Sequence, residues 1–243
     1  MKKRSKFTNV MLYSGIVVLS FLILIVIVKN VVSNKKQPLE STVEESVKPQ
    51  YVVQLPVANI MQKPELPTGC EITSLAILLR YYGYDADKEE LAKNYLKMAP
   101  VGELSYYDAF AGDPWDEDGW GCYATVIYDA ASKFLEDNKS NLKVYNLSGN
   151  EFEDILAQIA QGCPVLVWTN IHPDDKPEAR EETLNDGAKV TWITPEHCVV
   201  LKGYDLENRL VTICDPLGYY ETINLDVFAQ SYEDHMRQAV TIK

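Results

Sequence analysis

Three side chains far apart along the chain have the types and local settings that thiol chemistry requires. Cys70 stands in LPTGCEITSLAILLRYYG, residues 66–83, at the first turn of an apolar helix and directly after a Pro-Thr-Gly turn. Unpaired N–H groups and the positive end of the helix dipole favour a thiolate there, and a nearby imidazole would lower the thiol pKa by several units from its usual value of about 8.5. His197 in ITPEHCVVLKGYD and Asp215 in RLVTICDPLGYY supply a base and a group to orient it. Together they form a nucleophilic set in the order Cys, His, Asp, with His197 moving the proton and Asp215 fixing the tautomer of the ring. Cys122 in GWGCY also follows a glycine and is the competing nucleophile. His172, in a charged loop, and His235, after a helix, are the competing bases. Asp215 precedes Pro216, and Asp-Pro is also an ordinary turn starter.

The elements that must position these residues can be read from periodicity. Ile72, Leu75, Ala76, Leu79 and Tyr82 recur at three- and four-residue steps, so residues 70–82 form a helix with one face in the core, ended by Gly83. Val199 to Tyr204 and Arg209 to Cys214 read as a hairpin around 205–208, which puts His197 and Asp215 at the same edge of a sheet. Tyr51 to Leu55 is a short strand, Asp87 with Glu90 makes a capping box for a helix through Leu96, and residues 121–138 form a further helix. A strand at 143–147, a helix at 151–161 closed by Gly162, a strand at 164–169, a helix at 225–231 and a strand at 238–242 complete the reading. Residues 99–120 make a long loop without period, and loops of that length in compact domains are usually functional. Residues 171–189 read as a charged loop. Helices come first and an antiparallel sheet dominates later, so the fold class is α+β.

Charge is unevenly spread. The formal net charge is −12, yet residues 1–36 hold seven Lys or Arg and no Asp or Glu, leaving a balance of −19 from residue 37 onward. Nucleic acid is thereby excluded as an expected partner. Val10 to Val28 is an uncharged apolar run, preceded by KKRSK and followed by Lys29, Lys35 and Lys36. It is long enough to span a bilayer, which takes roughly 20 residues, and the basic residues before it favour a cytoplasmic amino terminus. The organisation expected is a basic cytoplasmic tail over 1–9, a transmembrane anchor over 10–28, a flexible polar stalk over 29–50 and one domain over 51–243 outside the membrane. A cleaved signal peptide, giving a secreted protein, is the alternative, although the run lacks an A-x-A site.

Five cysteines in an exported domain leave at least one thiol free. The others read as small buried hydrophobes, with one bridged pair left open. No C-x-x-C or H-E-x-x-H occurs, so neither a metal nor another cofactor is expected. Asp113, Asp116, Glu117 and Asp118 do not meet the spacing of a calcium loop and read as a solvated turn. Trp115 and Trp120 nearby are candidates for lining a cleft, with burial in the core as the alternative.

PTGCEITSLAILLRYYG, GWGCYATVI, EHCVVLKGYD and CDP, in this order and spacing, resemble the papain-like cysteine peptidases of family thirty-nine, in their exported or membrane-anchored branch. The resemblance covers residues 51–243. It implies a papain-like α+β fold with Cys70, His197 and Asp215 as catalytic residues and a peptide or protein as substrate. It also implies an upstream glutamine that helps hold the oxyanion; Gln62 is the natural occupant and Gln54 a weaker one. An amide N–H beside the Cys70 N–H would contribute roughly 3 to 4 kcal/mol to the transition state. The best-known members carry Cys-Gly at the nucleophile, are fused to export transporters and cut leader peptides after a double glycine. This chain has Cys70-Glu71 and no transporter segment, so leader processing is not carried over. A non-catalytic binding module at the cell surface and a thiol amidase acting on cell-wall peptide are the alternative functions.

Overall fold

The computed structural model describes residues 51–243. The proposed tail, anchor and stalk lie outside the described residues. Among the described residues no helix is long and apolar enough to cross a membrane.

In chain order the elements are β1 (Val52–Gln54), α1 (Cys70–Tyr81), α2 (Lys88–Asn94), β2 (Met98–Ala99), β3 (Phe110–Ala111), α3 (Ala124–Asp137), β4 (Val144–Asn146), α4 (Phe152–Ala160) and β5 (Val165–Asn170). There follow β6 (Glu178–Thr183), β7 (Lys189–Thr194), β8 (Glu196–Asp205), β9 (Leu210–Cys214), β10 (Thr222–Asn224), α5 (Leu225–Asp234) and β11 (Ala239–Ile242). The main sheet is antiparallel, in the order β10-β9-β8-β5-β11-β4. Strand β1 pairs with the far end of β8. Gly203 is required at that crossing, because a Cβ there would stand 2.6 Å from the Val53 carbonyl oxygen.

Alternation along the central strands divides the core in two. Leu166 and Trp168 of β5 and Cys198 and Val200 of β8 join α1 and α3 in one apolar cluster. Val165 and Val167, with Val199 and Leu201, join α4 and α5 in the other. A two-residue period thus serves two layers of helix, one on each face of the sheet. The class is α+β, as the sequence implies.

Three readings of the sequence need correction. Helix α1 is buried on all sides from Cys70 to Leu79, Glu71, Thr73 and Ser74 included, and not along one face only. It lies between the sheet and other covering segments, and Ser74 meets that burial by donating its hydroxyl to the Cys198 carbonyl at 2.9 Å. The segment 171–189 is only partly loop: β6 and β7 form a separate hairpin in which Arg180 faces Trp192 in register. EAREET is charged at most positions, so its strand pattern reads as solvated chain until β7 supplies a partner. The segment 99–120 is not wholly loop either: β2, which ends at Ala99, forms a short parallel pair with β3, and Gly121 bridges back to Ala111.

Candidate active site

Cys70 is the first residue of α1 and follows Gly69, which carries no side-chain cap. His197 is the second residue of β8, and Asp215 directly follows β9. Because β8 and β9 pair with Val200 opposite Cys214, His197 and Asp215 meet at one end of the hairpin. The His197 Nε2 lies 2.7 Å from the Asp215 Oδ1, with both side chains buried. Asp215 is in turn held by the backbone: Oδ1 accepts from the Leu217 N–H at 2.8 Å, and Oδ2 from the Tyr219 and Tyr220 N–H groups at 2.8 and 3.1 Å. Burial alone would raise its carboxyl pKa, but His197 and these N–H groups outweigh burial and hold it below the usual value. The ring therefore has a fixed orientation, and Nδ1 is left as the atom that can face a thiol.

Cys70, Gln62 and His197 line one cleft of about 500 Å³, together with Thr68, Trp120, Trp192, Glu196 and Tyr219. The sulfur does not hydrogen-bond to the ring. It donates to the Glu71 Oε2 at 3.2 Å, while Glu71 Oε1 accepts the Cys122 backbone N–H at 2.6 Å. Burial, then the carboxylates of Glu71 and Glu196, push the Cys70 thiol well above its ordinary value. The lowering expected from helix and imidazole is therefore not realised in this conformation, because burial and the two neighbouring acids outweigh it. Burial pushes the Glu71 carboxyl up to about 7 even though it accepts two hydrogen bonds. Burial, reinforced by Glu71, pushes Glu196 well up too.

Gln62 is buried, its N–H bonded to the Pro216 carbonyl at 2.9 Å. One side-chain N–H goes to the Pro67 carbonyl at 2.7 Å; an amide nitrogen has a second hydrogen for an oxyanion. Asn59 donates to the Asp215 carbonyl at 2.7 Å, tying the same segment to the other side of the site. Gln54, on β1, is not on the cleft wall. Cys122 is fully buried and absent from that wall; its N–H serves Glu71. His172 is exposed and bonded to the Tyr220 hydroxyl, and His235 is buried against the Ser231 carbonyl. The five cysteines are free. Trp120 does line the cleft, whereas Trp115 does not.

Sequence reasoning missed two contributions. Lys88 is buried and donates to the Met61 and Gln62 carbonyls at 2.6 and 2.8 Å, pinning the segment that carries Gln62. A lysine opening a polar helix gives no sign of this. Glu196 adjoins His197 and reads as a strand-edge charge, but its carboxylate lies close to Cys70 and Glu71. The GWGCY motif holds the one available signal. Gly121 has φ +135°, and a Cβ there would stand 2.7 Å from Glu71 Oε1 and 3.0 Å from Glu196 Oε2.

A helix-borne cysteine and a sheet-borne His–Asp pair on one cleft of an α+β domain define a cysteine-peptidase-like architecture. The sequence profile described as the Peptidase_C39 like family matches residues 52–240, and the chain belongs to that family. It is 33% identical over 219 residues to the uncharacterized protein YvpB of Bacillus subtilis (strain 168), covering 87% of this chain and 80% of the relative. A crystal structure of a chain assigned as a C39-like peptidase from Bacillus anthracis superposes with a TM-score of 0.70 at 32% identity, over 79% of this chain and 97% of that one.

Proposed function

We propose that this chain is a membrane-anchored, extracytoplasmic thiol hydrolase that cleaves peptide or amide bonds through Cys70, His197 and Asp215. The observation that carries this reading is the buried 2.7 Å contact between His197 and Asp215 on the cleft that Cys70 also lines. The location rests on the apolar run at 10–28 and its basic flanks. In the reaction, the Cys70 thiol turns from Glu71 to the His197 Nδ1 and gives up its proton. The thiolate attacks the carbonyl carbon, and the negative oxygen is held by the Cys70 N–H and the second amide hydrogen of Gln62. His197 then protonates the leaving nitrogen as the C–N bond breaks, leaving a thioester. Water, deprotonated by the same ring, hydrolyses that thioester and restores the thiol.

The test is alkylation of the full chain by iodoacetamide at neutral pH, with peptide mapping. Cys70 reacts ahead of Cys163, the other thiol with some exposure, and His197→Ala slows it. Labelling spread evenly over the cysteines, or unchanged in His197→Ala, would sink the proposal. A non-catalytic binding module is the second reading. It is favoured by the sulfur's hydrogen bond to Glu71, which keeps the thiol protonated, and it requires Cys70→Ala to leave ligand binding intact.

A further inference from the structure

The wall beside the nucleophile gathers two acids that no cation bridges among the described residues. One ligand atom each from Cys70, Glu71 and Glu196 lie within 4.8 Å of one another. Both oxygens of Glu71 are taken, by the Cys122 N–H and the Cys70 thiol. Glu196 differs. It lines the cleft, its Oε1 is out of contact with solvent without a hydrogen-bond partner, and it forms no ion pair among the described residues. The other charged groups on the cleft do not bridge to either acid: His197 bonds to Asp215, Arg180 pairs with Glu178 at 3.0 Å, and Lys63 forms no ion pair among the described residues. An indole completes the surroundings. Glu196 Oε2 and the Trp192 Cη2 each lie 3.0 Å from the point a Gly121 Cβ would occupy, and Trp120 lines the same cleft.

A carboxylate bordered by aromatic rings is the chemistry that recognises a cationic nitrogen. We propose that Glu196, backed by Glu71 and flanked by Trp192 and Trp120, binds a positively charged nitrogen of the substrate beside the scissile bond, either a lysine-type side-chain ammonium or a free α-ammonium. The inference rests on the thiol-hydrolase reading and deepens it by naming a substrate class. A neutral group seated there would desolvate the acids further without compensating them. A cation would compensate them and would also ease formation of the thiolate alongside, since the same two carboxylates hold the thiol protonated. The substrate thereby helps to activate the nucleophile that attacks it.

Chloromethyl ketones test this on the full chain, with the rate of Cys70 alkylation read by mass spectrometry. Three probes share one frame: acetyl-norleucine, acetyl-lysine, and norleucine with its α-amine free. A charge-assisted contact makes one cationic probe faster than acetyl-norleucine by about ten- to a hundredfold. The acetyl-lysine arm reports a side-chain cation, the free-amine arm an N-terminal one. In Glu196→Gln and in Glu196→Ala that preference falls to about one. Equal wild-type rates for all three probes, a comparison that needs no variant, would overturn the inference, as would a preference that survives both substitutions. Failure of the parent reading looks different: no probe would reach Cys70 selectively, or His197→Ala would leave every rate unchanged.

Discussion

The two sides of the cleft are built on opposite principles. At the His197–Asp215 corner every oxygen of the acid is partnered, by the ring and by three backbone N–H groups, and the carboxyl pKa is lowered. At the Cys70 corner two acids and a thiol share a buried space, and all three pKa values are raised. His197 is held in one orientation by Asp215 at the edge of the sheet, whereas burial and two neighbouring acids favour the protonated form of the Cys70 thiol.

The largest effect separates the corners by function. His197→Ala should slow acetyl-lysine chloromethyl ketone labelling of Cys70 by about a hundredfold or more, the range for losing a positioned acid–base group. A fall below about threefold would mean that the ring does not reach the sulfur in solution.

The next compares their pH responses. Glu71 has a folded pKa of about 7, above the ordinary value of 4.5, so between these values the folded chain binds a proton that the unfolded chain has released. Stability therefore falls as pH rises through that window, by up to about 3 kcal/mol. Asp215 runs the other way, its contribution being present above its unfolded pKa and lost as pH falls below it. Urea midpoints of Glu71→Gln between pH 4.5 and 8 should show the downward slope flattened and the pH 8 stability raised. The amide that replaces the carboxylate still accepts from the Cys122 N–H but cannot ionise. A steeper fall than in the wild type would contradict a penalised carboxylate.

Lys88→Met probes the strap that joins both corners. It leaves the carbonyls of Met61 and Gln62 without their buried donor and should cost about 2 kcal/mol in urea denaturation. A neutral result would mean that water replaces the ammonium without loss. Smallest is Ser74→Ala, which removes one buried hydrogen bond to β8 and should cost about 1 kcal/mol by the same measurement. A larger loss would show that the α1–β8 contact positions Cys70 as well as packing it.

Much of this frame could be read from local pattern. The turn into α1, the β8–β9 hairpin with His197 and Asp215 at one end, and the order of later helices and strands each depend on neighbours close by in the chain. The β6–β7 hairpin was hidden because a charged strand has no apolar alternation. Burial of α1 from Cys70 to Leu79 was hidden because Glu71, Thr73 and Ser74 look like a solvated side; the partners of two of them, the Cys122 N–H for Glu71 and the Cys198 carbonyl for Ser74, are distant in the chain.

Residue type and spacing by themselves determined which side chains could act as nucleophile, base and orienting acid, since caps, turns and hairpins are short-range devices. Tertiary structure alone decided the electrostatic surroundings of Cys70. Electrostatic energy depends on distance through space and on exclusion of water, and only folding brings Glu71 and Glu196, 125 positions apart in sequence, against the same sulfur.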